Sequence, residues 1–203
     1  AAALGIPLGL YLGLNWNWQM PFYFIVAMSI LIWFFMAAQL PPMISHLTRI
    51  HESYKSWHIL GRVLKNKNQL RALAFTCTIL FGQFAIIPYL ADYIENNVGF
   101  EKTQLVWMYF TGGILTFITN PFIGSLADKF GQLKTFLIVM LISCAPIIAI
   151  TSMGENPIPL VLIATSSFFV FAGGRNIPGT ALVLSTAAPH ERGGFMSIRS
   201  AVQ

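Results

Sequence analysis

A chain of 203 residues that is 56% hydrophobic and only 9% charged lies far from the roughly 25% charged content of soluble domains and reads as an integral membrane protein. Its net charge of +5 sits in short stretches between apolar runs, the distribution expected of cytoplasmic loops rather than of a nucleic-acid-binding face. Cys77 and Cys144 each lie inside an apolar run, where they act as small hydrophobes, so neither a disulfide, a metal site nor a cofactor is indicated.

In chain order, Ala1 to Leu14 reads as the outer part of one helix, with Gly5, Pro7, Gly9 and Gly13 as a small-residue face for helix contact. Asn15-Trp16-Asn17-Trp18-Gln19 is a polar turn with two interfacial tryptophans, and Met20 to Leu40 crosses back. Residues 46–71 change character. Arg49, Lys55, Arg62, Lys65, Lys67 and Arg71 fall there against Glu52 alone, and Tyr54, Trp57, Leu60 and Leu64 recur at helical spacing, which predicts an amphipathic helix along the interface. His46, His51 and His58 lack the spacing of metal ligands and read as solvated loop residues. Ala72 to Ala91 is the next span, followed by an acidic loop with Asp92, Glu95 and Glu101 beside Lys102. Val106 to Ala127 returns, Thr135 to Gly154 goes out again past Glu155, and Ile158 to Ala187 comes back to Pro189-His190-Glu191-Arg192-Gly193. Ten of the twelve Lys and Arg residues fall on one side of these spans, Lys102 being opposite and Arg175 inside a span. That asymmetry makes 49–71, 128–134 and 189–193 cytoplasmic. The chain opens on Ala1-Ala2-Ala3-Leu4 and closes on Ser200-Ala201-Val202-Gln203 as a new segment begins, so a piece of a longer protein is expected.

Between two uncharged runs stands Gly124-Ser125-Leu126-Ala127-Asp128-Lys129-Phe130-Gly131-Gln132-Leu133-Lys134. Gly124 permits close helix approach, Asp128 can accept from free N–H groups at a facing helix start, Gly131 can take positive φ, and Lys129 and Lys134 mark the cytoplasmic side. This pattern resembles the loop signature of the major facilitator superfamily, between helices 8 and 9. Gly5-Ile6-Pro7-Leu8-Gly9 is similar to the superfamily's Gly/Pro-rich fifth helix, Trp18 to Phe22 resembles its turn into helix 6, and 189–193 its loop between helices 10 and 11. The resemblance implies an all-α polytopic membrane bundle, part of a twelve-helix fold of two six-helix halves. Residues 1–45 would be the last two helices of the N-terminal half, 46–71 the central loop, and 72–203 helices 7–10 with the start of 11. It further implies alternating access for a small-molecule substrate by a monomer in a bacterial-type inner membrane, most like the drug and sugar efflux branch, coupled to a proton or another ion. Gly124, Asp128, Lys129, Gly131 and Lys134 would then form a gating motif, with Asp128 capping the start of helix 5 at or before Ala1.

Polar groups inside the spans are the candidates for substrate contact. Arg175 is costly at mid-membrane, on the order of 2.5–3.5 kcal/mol on insertion scales, and must face protein or a water-filled cavity. Pro178 removes the N–H that would bond the carbonyl of Gly174, so a helix break beside Arg175 and Asn176 is expected. Arg175 either binds cargo or pairs with a neighbouring helix, and the same two readings apply to Gln83 and Asn120. Asp92 reads as a solvated acid. Paired carboxylates, a nucleophile with its base, or a metal set are missing from the spans, which argues against an enzyme. An importer of a small anionic nutrient and a non-transporting scaffold are the alternatives.

Overall fold

The computed structural model describes residues 2–39, 56–154, 156–189 and 191–203. Their helices are α1 (Ala2–Asn15), α2 (Met20–Gln39), α3 (Ser56–Lys65), α4 (Lys67–Phe84), α5 (Ile87–Val98), α6 (Lys102–Phe130), α7 (Gln132–Thr151), α8 (Ile158–Gly174), α9 (Asn176–Ser185) and α10 (Arg192–Val202). Five stretches among the described residues are long and apolar enough to cross a bilayer: α2, α4 with α5, α6, α7, and α8 with α9.

Local chemistry sets the boundaries. Asn66 starts α4 by accepting from the backbone of Asn68 and Gln69 at 3.0 and 3.4 Å. Pro88 in the first turn of α5 reopens the helix after the break at Ala85 and Ile86, so the expected single span 72–91 is two helices covering 67–98. Asp92 and Glu95 consequently lie on α5 rather than in a loop, and Lys102 bridges to Glu95 at 3.8 Å. Glu101 and Gln104 form a capping box that begins α6 earlier than the apolar run suggests. At its other end α6 continues to Phe130, so Asp128 and Lys129 belong to its last turn and the reversal into α7 is made by Gly131 alone, at φ 94° and ψ 143°.

Two apolar clusters hold the bundle. At the acidic end, α5, α6, α7 and α8 bury Ile94, Met108, Val161 and Phe168 almost completely. At the basic end, Val63 of α3, Ala72 and Leu73 of α4, Val183 of α9, and Phe195 of α10 close a second cluster. The amphipathic helix therefore docks through Val63, while Leu64 stays 54% exposed. Tyr54 lies outside the described residues, as do Arg49, His46 and His51. The seam of α6 against α8 is tightest where Gly112 meets Phe169 and Gly174 meets Ile123, positions at which a Cβ would overlap the neighbour. Helix α1 packs along α6 with Pro7 buried, but a Cβ at Gly5 or Gly9 meets nothing within 4 Å and one at Gly13 meets Pro21 at an ordinary 3.9 Å, so its glycines are not themselves points of close approach. Every described side chain of α2 is at least partly exposed, an apolar surface suited to lipid or to further helices.

Candidate functional site

The eleven-residue motif at the basic end is mostly surface. Asp128 is exposed and accepts from Gln132 Nε2 at 3.2 Å, and Lys129 Nζ stands 5.6 Å from the centre of the Phe130 ring. Beneath them Ala127 is buried, and Thr135 binds the turn twice, its N–H to Gly131 O at 3.1 Å and its hydroxyl to Leu126 O at 3.3 Å. A Cβ at Gly124 would sit 3.9 Å from Ile177, ordinary contact, so this glycine is not the closest approach in the seam. Lys134 is exposed on the first turn of α7. The expected contact of Asp128 with the residues at or before Ala1 lies outside the described residues.

Arg175 stands between α8 and α9 with φ −62° and ψ −22°. The break is thus one residue of near-helical backbone, narrower than an unwound turn: Arg175 N–H still reaches Phe171 O, and its carbonyl accepts from Gly179, both at 3.1 Å. Its side chain is half-buried, and Nε has no hydrogen-bond partner. Asn120 Oδ1 is likewise buried and unpartnered. It lies on α6 between Thr116 and Ile123, which pack on Gly173 and Gly174, so helical spacing puts Asn120 on the seam with α8.

A cavity of about 230 Å³ opens between α4, α9 and α10, with Thr76, Gln83, Asn176, Thr180, Arg199 and Gln203 as its polar lining. Two predicted residues, Gln83 and Asn176, meet there; Arg175 and Asn120 are not in its wall. Gly179 lets α9 pack against Ile79 and Phe136, each 3.4 Å from where its Cβ would stand. Asn176 Nδ2 donates to Ala172 O at 3.4 Å and Thr76 Oγ1 to Ala72 O at 3.0 Å. Arg199 is the residue missed by sequence reasoning, which counts it among the basic loop flanks. The signal available was its position three residues after Met196 and four after the apolar Phe195, on the inward stripe of an amphipathic segment. Among the described residues, no group of three or more His, Cys, Asp or Glu is placed to hold a metal ion.

The sequence profile described as Major Facilitator Superfamily matches residues 1–203, the whole chain. The chain belongs to the major facilitator superfamily. Solute carrier family 22 member 18 of Mus musculus is 27% identical over 124 residues, covering 61% of this chain and 29% of the relative. The Rattus norvegicus protein of the same name matches over the same shares. Solute carrier family 67 member A1 of Homo sapiens is 27% identical over 124 residues, 61% of this chain and 28% of its own length. The aligned stretch thus spans less than a third of these relatives. No solved structure matches significantly. As a superfamily member with five candidate spans, the chain is a multi-pass membrane protein, and its exposed apolar side chains are lipid-facing or helix-facing rather than anomalous.

Proposed function

We propose that this chain is part of a secondary-active transporter that moves a small molecule by alternating access, in the drug and sugar efflux manner and driven by a proton gradient. The observation that carries the reading is the polar cavity between α4, α9 and α10: hydroxyl, amide and guanidinium groups lining about 230 Å³ beside membrane-spanning helices are expensive in lipid and are kept where solute or water passes. By motif correspondence α1 and α2 are helices 5 and 6 of the superfamily fold, residues 46–71 the central loop, and 72–203 helices 7–10 with the start of 11. The basic end is then cytoplasmic, in the inner membrane of a bacterial-type cell. Gly124, Asp128, Lys129, Gly131 and Lys134 would form the gate between the halves, and Arg175 with Gly174 and Pro178 would mark a helix break next to Asn176 of the cavity lining. The relatives' names, solute carriers, agree with transport.

Anion import is the second reading. It is favoured by two arginines, Arg175 and Arg199, whose buried Nε atoms lack acceptors. The test is reconstitution of the full-length protein in proteoliposomes with an imposed pH gradient, using ethidium, labelled hexoses and labelled benzoate as probes. Saturable, protonophore-sensitive efflux of ethidium or hexose supports the first reading, and benzoate uptake the second. Absence of any protein-dependent flux would leave a membrane scaffold.

A further inference from the structure

The guanidinium of Arg199 is held by neutral groups alone. Nη2 donates to Thr180 Oγ1 at 3.0 Å, Nη1 rests 3.9 Å from Met196 Sδ, and the buried Nε has no partner. The ion pairs among the described residues are Arg62–Glu191 and Lys102–Glu95, so no described carboxylate neutralises Arg199. Arg199 is only partly buried, but a guanidinium N–H shut off from water without an acceptor is costly. The missing acceptor has a place to sit, because Arg199 lines the cavity together with the amides of Gln83 and Asn176 and the apolar side chains of Ile79 and Leu80.

We propose that Arg199 anchors a single carboxylate on a small organic molecule, its planar fork gripping both oxygens while Gln83 and Asn176 hydrogen-bond the remainder. This deepens the second, anion-transport reading and rests on it for the claim that the bound acid is cargo. Among the described residues of the lining Arg199 is the one cation, which matches one negative charge better than the greater charge of a phosphate. The volume enclosed by the described residues, about 230 Å³, is below the roughly 300–1,000 Å³ of pockets for drug-sized ligands and has room for about a single-ring acid.

The experiment measures thermal stabilisation of the purified full-length protein by benzoate, with its uncharged amide benzamide, inorganic phosphate and phosphatidylglycerol in parallel. The expected result is a saturable benzoate shift that the other three do not reproduce. Arg199→Gln should abolish it, Arg199→Lys should weaken benzoate at least tenfold, and Lys65→Gln, which removes an exposed charge on α3, should leave it within twofold. If Arg199→Gln does not fold, Gln83→Leu serves instead, with an expected loss of about tenfold. Equal shifts in wild type and Arg199→Gln overturn the proposal. So does stabilisation by phosphate or phosphatidylglycerol with benzoate silent, which would make the occupant a phosphate or a lipid headgroup. A preparation that transports in proteoliposomes yet shows no benzoate shift overturns the carboxylate site and leaves transport standing. Benzoate binding that depends on Arg199, in a preparation that moves nothing, upholds the site and removes transport.

Discussion

Gly131 carries the reversal between α6 and α7 at φ 94° and ψ 143°, a region that side-chain-bearing residues scarcely enter, whereas Gly99 at φ 79° and ψ 25° is in the ordinary left-handed well. Replacing Gly131 with alanine should cost about 1–3 kcal/mol, and Gly99→Ala roughly 1–2 kcal/mol. Denaturation of the two variants in one detergent should rank Gly131→Ala as the less stable; the reverse order would contradict the backbone assignment. Legibility divides at this scale. Gly131 was readable because a tight turn marked by Asp128, Lys129 and Lys134 calls for a residue that takes positive φ, and Arg175 because it stands alone in an apolar run. Arg199 was not: its flank is polar, and only the packing of Phe195 beneath α4 and α9 turns the same helix face toward the cavity.

At the level of elements, α3, α4 and α10 meet at the basic end through two kinds of contact. Arg62 Nη1 donates to Glu191 Oε1 at 3.0 Å and Gln69 Nε2 to Glu191 Oε2 at 3.3 Å, while Phe195 is wholly buried against Val63, Ala72, Leu73 and Val183. The Arg62 and Glu191 side chains are 54% and 23% exposed, so solvent screening holds that pair to about 0–1 kcal/mol. Removing the Phe195 ring leaves a cavity worth about 3–5 kcal/mol. Packing should therefore dominate. Glu191→Gln is expected to shift the denaturation midpoint little and Phe195→Ala to shift it severely, and a larger effect from Glu191→Gln would assign the contact to electrostatics. The helices themselves follow from the lengths of the apolar runs, as do their approximate ends. The break at Arg175 was legible from Gly174 and Pro178; what the runs hide are the break at Ala85 and the continuation of α6 to Phe130, because hydropathy averages over Pro88 and does not register that a charged pair can finish a helix in the interface. The docking of α3 on α10 joins residues more than 120 positions apart, and no local pattern announces it.

For the whole molecule, membrane embedding and the superfamily were readable from composition and from the motif at 124–134, whereas the cavity depends on three helices converging and became visible only in three dimensions. The proposed alternating access requires this cavity to open in turn to the two sides of the membrane. It is tested most directly by a single cysteine at Gln83, in the full-length protein with Cys77 and Cys144 replaced by serine, labelled by a membrane-impermeant maleimide in oriented vesicles. Cysteines at Lys65 and Asn156, on opposite faces by the charge asymmetry, identify each side. The cysteine at position 83 should react from both faces, and conditions which raise its labelling from one face should lower it from the other. Reaction from one face under every condition, or from neither, would contradict it.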